Sequence, residues 1–159
     1  MLHELKTSGT MRVTISECEL ADLDDLVLLF DAYRQFYRQE SDQQGARAFL
    51  RERLAKRDTV LLIGRDEHVQ PIGFTHLFPS FSSVRLARLW ILNDLYVVPE
   101  MRGLGVGCKL MHAARKRALS EAVAILALST EKDNHRAKGL YEQLGYERDT
   151  MYDHYELVL

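Results

Sequence analysis

Apolar residues recur with a helical period in the first third of the chain, after one short stretch of alternation. Residues 12–17 alternate polar with apolar positions, which predicts a half-buried first strand. From Ala21 to Gln39 apolar residues recur every three or four positions, so an amphipathic helix is predicted there. Ser41 followed three residues later by Gln44 is a capping-box pattern, which predicts a second, more polar helix that ends near Arg57.

The middle of the chain has the shorter period that is typical of strands. Strands are predicted at residues 60–64, 72–78 and 84–97, and the sequence PSFSS at residues 79–83 is predicted to be the loop between the last two. Because the connections are short, we expect these three strands to form an antiparallel meander.

Helical spacing returns twice in the C-terminal part. One helix is predicted from Gly105 to Ser120, and the apolar run that starts at Ala122 predicts a buried strand, so that strand, helix and strand form a right-handed parallel crossover. A fourth helix is predicted to end at Gly145, where a left-handed cap is expected. The tail, residues 146–159, alternates enough to predict one or two closing strands.

These elements predict an α/β fold with the order β-α-α-β-β-β-α-β-α-β, and a further β when the tail forms two strands. The sheet is expected to be mixed and mostly antiparallel, with helices on both faces. The length of 159 residues suits one domain, which we place at residues 12–159. Residues 1–11 are expected to be a flexible leader.

Composition excludes several classes of partner. The chain has 21 Lys and Arg against 23 Asp and Glu, so its charge gives no argument for nucleic acid or an anionic membrane. Cys18 and Cys108 make no disulfide framework, and no apolar run approaches the roughly 20 residues of a membrane span. The first ten residues are too polar for a secretory signal, so a soluble, cytoplasmic protein is expected. The six histidines lack paired ligand spacing, so no metal site is expected.

The stretch at residues 90–109, WILNDLYVVPEMRGLGVGCK, carries the candidate chemistry. An apolar run breaks at Pro99, and Gly103, Gly105 and Gly107 then lead into a helix. Closely spaced glycines expose backbone N–H groups, and the positive end of the helix dipole favours an anion. The stretch therefore predicts a site for the diphosphate of a cofactor.

The spacing of this loop excludes two common phosphate sites. Its third glycine arrives one residue too early for the dinucleotide-binding pattern. The loop that binds nucleoside triphosphates ends in Gly-Lys followed by Ser or Thr. This loop ends in Gly107-Cys108-Lys109 and has no such hydroxyl. What remains is Arg102-x-x-Gly105-x-Gly107, directly after a strand and at the start of a helix.

This motif resembles the acyl-CoA pyrophosphate loop of the GCN5-related N-acetyltransferases. The order of elements matches that family from about Arg12 to the C-terminus. A second block, from Asn134 through Leu140-Tyr141-Glu142 to Leu144-Gly145-Tyr146, also resembles the family at the expected separation. Residues 78–97 are similar to the branch that includes small polyamine and histone acetyltransferases.

The resemblance implies acetyl-CoA as the cofactor. The diphosphate would lie on the backbone of the glycine loop with Arg102 beside it, and the pantetheine arm would pair with an open strand edge. Asn134 would cap its helix and contact the cofactor arm. The implied cofactor-binding residues are Leu95, Tyr96, Val97, Arg102, Gly103, Leu104, Gly105, Val106, Gly107, Cys108 and Asn134.

The resemblance also implies the catalytic groups. A bulge near Asn93 and Asp94 would free a backbone N–H, of Leu95 or Tyr96, to stabilise the developing oxyanion. Some relatives carry glutamate where this chain has Asn93, which cannot act as a base, so Asp94 is the candidate base or ammonium anchor. Tyr141 is implied as the general acid that protonates the leaving thiolate.

The implied acceptor is a primary amine: a polyamine, an amino acid, another small amine or a protein lysine. Asp31 and Glu40 are carboxylates that would suit a polycationic acceptor. A homodimer is expected from the family. The alternative function is a catalytically silent acyl-CoA-binding regulatory module. Candidate acceptor-site residues are Tyr33, Tyr37, Phe78, Trp90 and Asn93.

Overall fold

Five strands and four α-helices follow one another in residues 11–159, the part of the chain that the computed structural model describes. The leader expected at residues 1–11 lies outside this range except for Met11, which packs against a cluster that includes Ile72 and Leu110. Short 3₁₀ helices precede the first α-helix and follow the fourth strand, at Leu20–Asp22 and Pro99–Met101. The elements are β1 (Thr14–Glu17), α1 (Leu23–Phe36), α2 (Gln43–Lys56), β2 (Val60–Arg65), β3 (Pro71–Ser82), β4 (Ala87–Val97), α3 (Val106–Ser120), β5 (Ile125–Leu128) and α4 (His135–Gln143).

The chain divides into two compact units. The first extends to Leu128 and contains the whole sheet with α1, α2 and α3. The second is Ser129–Leu159 and contains α4.

The five strands form one mixed sheet in the order β1-β2-β3-β4-β5. The first three pairs are antiparallel, and β5 lies parallel to β4, to which it is connected through α3. The predicted α/β class and the mostly antiparallel sheet are therefore confirmed.

Helices cover both faces of the sheet, as the alternation of the strands requires. On one face Leu26 of α1 and Leu50 of α2 join a cluster with Tyr96 of β4. Leu95 and Val97, the neighbours of Tyr96, point the other way and pack with a cluster that α3 contributes to. Successive residues of β4 thus contact different helices.

Several boundaries differ from the prediction. The strand predicted at residues 84–97 begins at Ala87, because Ser83 to Leu86 form a turn. The loop predicted at residues 79–83 is wrong, because Pro79 to Ser82 continue β3 and pair with Trp90 to Ala87. Proline and serine resemble turn residues in sequence, but their cross-strand partners extend the ladder. The helix cap predicted at Ser41 is also wrong: Asp42 is the cap, and its side chain accepts from the Gly45 N–H at 2.8 Å.

The last predicted strands differ as well. β5 is half-buried rather than buried, because it is the last strand in the sheet order. Residues 146–159 contain no strand, and the apolar side chains after Tyr146 are exposed, Tyr155 at 94% and Leu157 at 81%. An alternating pattern forms a strand only where a partner backbone and an apolar surface are available.

The cap predicted at Gly145 is confirmed. Gly145 has a φ of +87°, in the left-handed region. The Tyr146 N–H donates to the Tyr141 carbonyl and the Gly145 N–H to the Glu142 carbonyl, both at 3.0 Å. This is the Schellman arrangement, which satisfies the last carbonyls of α4.

Candidate active site

A bulge interrupts β4 at the position that the sequence predicts. Asp94 lies opposite His76, but Leu92 lies opposite Leu77, so Asn93 is one residue more than β3 supplies. Such a bulge bends the strand and redirects the side chains that follow it.

Beyond the bulge, β4 has a partner on one side only. β5 pairs with β4 from Leu89 to Leu92 and ends there, at Leu128. Residues 93–97 pair with β3. No strand of residues 11–128 lies on their other side, so this segment has an open edge that can accept an extended ligand.

The hydrogen-bond pattern identifies the backbone groups at this open edge. The Val98 N–H donates to the Ile72 carbonyl at 3.0 Å, so Val98 faces β3. In an antiparallel pair, the backbone N–H and C=O groups of successive residues point to opposite sides of the strand. Those of Tyr96 therefore point to β3, and those of Leu95 and Val97 point to the open edge. Of the two N–H groups expected to stabilise the oxyanion, that of Leu95 therefore lies at the open edge.

The Asp94 side chain is buried beside the bulge, at 5% exposure. The Asn93 amide donates to Oδ1 at 3.0 Å, and Nδ1 of His76 lies 3.3 Å from Oδ2. The Asp94 carbonyl accepts from the Thr75 hydroxyl at 2.8 Å. The carboxylate is thus contacted on both oxygens, while Asn93 itself remains exposed.

The glycine loop has the conformation that its sequence predicts. Gly103 and Gly105 have φ angles of +83° and +80°, where residues with a Cβ are strained. A Cβ at Gly105 would meet no atom within 4 Å. Glycine is therefore required there by backbone conformation, and the space above it is free for a ligand. Three consecutive loop residues are exposed: Gly103, Leu104 and Gly105.

The N-terminus of α3 offers unsatisfied donors. Gly105 is its cap residue, and no side chain of the described residues caps it. The first N–H that bonds within the helix is that of Lys109, which donates to the Gly105 carbonyl. The N–H groups of Val106, Gly107 and Cys108 have no intrahelical acceptor and are available to an anion. Val106 is buried at 1% exposure and anchors the turn, whereas Gly107 and Cys108 are half-exposed.

Arg102 connects the glycine loop to the open edge. Its Nε donates to the Val97 carbonyl at 2.8 Å, and its guanidinium lies 5.3 Å from the Phe36 ring and 5.5 Å from the Tyr96 ring. These contacts place a fixed positive charge between the loop and β4. Loop, helix terminus and open edge together fit the diphosphate and amide arm of an acyl-CoA.

A family model described as the acetyltransferase (GNAT) family matches residues 26–146. The chain belongs to the GNAT family. It is an N-acetyltransferase of the acyltransferase class, and GNAT enzymes use acetyl-CoA as the acetyl donor.

Three relatives bear on this assignment. The chain is 47% identical over 143 residues to the uncharacterized N-acetyltransferase YhfO of Bacillus subtilis, over 90% of this chain and 95% of YhfO. A crystal structure of a probable acetyltransferase has a TM-score of 0.86 at 37% identity, over 92% of this chain and 97% of that one. The D-amino-acid N-acetyltransferase of Saccharomyces cerevisiae is 35% identical over 78 residues, 49% of this chain and 48% of the yeast protein.

Aromatic residues of α1 gather near Arg102 in this GNAT chain. Tyr33 and Tyr37 are half-buried with ring centroids 5.0 Å apart, and Tyr33 lies 6.3 Å from Tyr96. Phe36 is 51% exposed beneath the Arg102 guanidinium. This group offers apolar surface beside the end of β4.

The remaining aromatic candidates are divided. Phe78 is half-buried, and its ring lies 4.4 Å from that of His76, the neighbour of Asp94, at a tilt of 42°. Trp90 is only 1% exposed, with the Arg117 guanidinium 5.7 Å from its ring. The structure therefore brings Phe78 to the site and places Trp90 in the core, where it offers no surface to an acceptor.

Asp31 is not available to an acceptor either. Its carboxylate accepts from the Ser41 hydroxyl at 2.7 Å, the Asp42 N–H at 2.8 Å and the Gln35 amide at 3.1 Å, and it is 2% exposed. Burial by itself raises the pKa of Asp31, but the bonds from Ser41 and Asp42 and the charge of Arg34 lower it below its ordinary value. The residue connects α1 to the start of α2.

Two predicted site residues lie in the second unit. Oδ1 of Asn134 accepts from the Ala137 N–H at 3.2 Å, so Asn134 is the cap of α4. Tyr141 is half-buried, with its ring 6.1 Å from that of Tyr146. The contact of Asn134 with the cofactor and the role of Tyr141 as general acid stay predictions.

Sequence analysis missed one residue of the site, His76. The spacing of the histidines gives no signal for it, because that spacing argues only against a metal site. The signal that could identify it is its cross-strand register with Asp94, which depends on the bulge at Asn93. Among residues 11–159 no group of three His, Cys, Asp or Glu side chains is placed to hold a metal ion, and no helix is long and apolar enough to cross a membrane.

Proposed function

We propose that this GNAT enzyme transfers the acetyl group of acetyl-CoA to a primary amine by direct attack within a ternary complex. The observation that carries this proposal is the position of Asp94. Its carboxylate lies at the bulge, next to the open edge where the Leu95 N–H is directed. A proton acceptor and a hydrogen-bond donor thus flank one point of the strand.

The donor would be held by backbone groups. The N–H groups from Gly103 to Cys108 would bind the diphosphate, with the charge of Arg102 beside it. Leu95 and Val97 would pair with the amide arm. Acetyl-CoA, when bound, supplies a thioester whose carbonyl carbon is open to an amine. The Leu95 N–H would donate to the carbonyl oxygen as negative charge develops there.

Asp94 would act on the acceptor. An alkylammonium with a pKa near 10.4 is almost fully protonated at neutral pH and has no lone pair with which to attack. Asp94 would either accept this proton through a water molecule or hold the ammonium group in place until the proton is lost. In both cases the negative charge of Asp94 is required.

Tyr141 would complete the reaction by donating a proton to the leaving thiolate. A phenol with a pKa near 10 can supply this proton. We expect Tyr141→Phe to lower kcat about 100-fold while the Kd for acetyl-CoA changes less than about 2-fold, because the ring is kept. Single-turnover kinetics and calorimetric titration measure the two effects.

Tyr146→Phe is the matched control for this prediction, since it removes the same hydroxyl from the neighbouring ring. It should leave kcat unchanged. Equal losses in the two variants would show that the hydroxyl of Tyr141 has no special role.

Amino acids and other small amines are the first acceptors to test. The engagement of Asp31 removes one of the two carboxylates expected to attract a polycation, and only Glu40 of that pair is exposed. A relative named as a D-amino-acid N-acetyltransferase supports the inclusion of D-amino acids. Polyamines and lysine peptides complete the panel.

Release of the CoA thiol across this panel tests the proposed function. Turnover above the rate without acceptor, together with mass-spectrometric detection of an acetylated amine, would support it. Tight binding of CoA without turnover on any acceptor would favour the alternative, a silent acyl-CoA-binding module. Sedimentation of the same preparation tests the expected homodimer.

A further inference from the structure

His76 is a buried polar side chain that the mechanism above does not use. It lies on β3 directly opposite Asp94 and has 0% exposure. Its Nδ1 is 3.3 Å from Oδ2 of Asp94, and its Nε2 is 2.8 Å from the Thr59 hydroxyl. The imidazole thus lies between a partly exposed hydroxyl and the candidate catalytic carboxylate.

The chemistry of these groups defines where the imidazole proton must be. A carboxylate can only accept a hydrogen bond, whereas the Thr59 hydroxyl can donate or accept. Nδ1 must therefore carry a hydrogen when Asp94 is ionised. The Nδ1 contact is within ion-pair distance but lacks the alignment of a hydrogen bond, and Nδ1 has no other partner among the described residues.

Packing alone does not account for a histidine at this position. Phe78 and Phe49 lie against the ring, at 4.4 and 6.3 Å between centroids. An apolar side chain would suit these neighbours better, since burying two ring nitrogens is unfavourable unless both are satisfied. The polar atoms face Thr59 and Asp94, so the feature that requires histidine is its contact with these two groups.

We propose that His76 is the positioning residue of acetyl transfer, which holds the Asp94 carboxylate in place beside the bulge of β4. This inference rests on the proposed function, in which Asp94 acts on the amine. Asn93, which is exposed, contacts Oδ1 of Asp94, and His76, which is buried, contacts Oδ2. The Thr59 hydroxyl in turn contacts Nε2 of His76. Without His76 the carboxylate loses its buried contact and keeps only the hydrogen bond from the exposed Asn93 amide.

Two variants that share the same branched shape at Cγ test the proposal. Both His76→Asn and His76→Leu remove the ring and the contact with Thr59, but only the asparagine amide can replace Nδ1–H. We expect His76→Leu to lower kcat/KM about 10- to 100-fold and His76→Asn to stay within about 3-fold of the parent, because a misplaced catalytic group is costly even at 1 Å. His68→Leu, at an exposed turn position, is the control.

Comparing thermal stability with activity distinguishes a positioning role of His76 from a packing role. Leucine should give the higher Tm of the two variants, because its neighbours Phe49 and Phe78 are apolar. A positioning role predicts the opposite order for activity. If His76→Leu is as active as His76→Asn per folded molecule, the proposal is wrong. It is also wrong if the activities of the two variants differ by the same factor when Asp94 is replaced by Asn as when Asp94 is present.

A measurement without any acceptor distinguishes failure of this inference from failure of the proposed function. Nitrogen-15 NMR of the imidazole should show a protonated Nδ1 in the parent, and a shift of the proton toward Nε2 in Asp94→Ala, where the acceptor for Nδ1–H is gone. A parent with an unprotonated Nδ1 would overturn the inference even if acetyl transfer is observed. Absence of turnover on every acceptor would overturn the proposed function while the NMR result still tests the pairing.

Discussion

The two halves of β4 differ in their surroundings. Residues 89–92 pair with β3 on one side and β5 on the other, and Trp90 among them is buried. Residues 93–97 pair with β3 alone. The difference arises from one extra residue, Asn93, and from the end of β5 at Leu128. Where a strand is paired on both sides, its backbone N–H and C=O groups all bond to neighbouring strands. Where one side is open, alternate backbone groups can bond to a ligand.

The largest expected effect comes from the first buried carboxylate after the bulge. Asp94→Asn should lower kcat/KM about 10²- to 10⁴-fold, because the amide keeps the shape but cannot accept a proton or hold an ammonium charge. The Kd for acetyl-CoA should change less than about 2-fold. Glu67→Gln, in the exposed β2–β3 turn, removes the same charge elsewhere and should have no effect. Full activity of Asp94→Asn would remove Asp94 from the mechanism.

The next effect concerns the loop that follows the open half. Gly105→Val should weaken acetyl-CoA binding about 100-fold or more, because a β-branched residue at a φ of +80° must displace N–H groups that bind the diphosphate. Calorimetric titration measures the loss. Since no protein atom lies within 4 Å of the missing Cβ, crowding within the free protein does not contribute to the effect.

Gly139→Ala provides the matched control. Gly139 lies within α4, and a Cβ there also meets no atom within 4 Å, but its φ is not positive. Alanine should therefore stabilise the helix by about 0.5–1 kcal/mol and leave the Kd unchanged. Similar losses of binding in both variants would contradict a role for left-handed geometry at Gly105.

The smallest effect requires no substitution. Amide hydrogens of residues 89–92 and of Tyr96 should exchange slowly in the free protein, while those of Leu95 and Val97 exchange faster because they face the open edge. At acetyl-CoA 100 times above its Kd, exchange at Leu95 and Val97 should slow about 100-fold. Hydrogen exchange followed by NMR resolves each residue. Uniform protection along β4 before the ligand is added would mean that the edge is not open.

Local patterns were sufficient to predict most of the fold. The helices and the first four strands follow from periodicity, and the cap at Gly145 follows from glycine after an apolar helix face. The errors occur where strand formation depends on pairing with another segment of the chain. Ser80 pairs with Leu89 and therefore belongs to a strand, whereas Tyr155 alternates with polar residues but has no partner strand.

The candidate site shows the same limit. The glycine loop is visible in the sequence because its geometry is local, and Asp94 is proposed only because this strand resembles that of the family. His76 reaches Asp94 only through a register that the bulge shifts by one residue, and Trp90 is excluded only by its burial. Cross-strand neighbours and burial are properties of the folded sheet, so composition and spacing could not reveal them.

The carboxylate of Asp31 makes the helical layer of the first unit sensitive to acid. Because its pKa is lowered in the folded chain, its contribution to stability is complete above the ordinary value of 3.8 and disappears as pH falls through the lowered pKa. Two of its three hydrogen-bond donors, Ser41 and Asp42, connect α1 to the start of α2. Thermal unfolding followed by circular dichroism between pH 5 and 2 should show a steeper fall in Tm for the parent than for Asp31→Asn. Equal slopes would mean that this carboxylate does not govern the acid response.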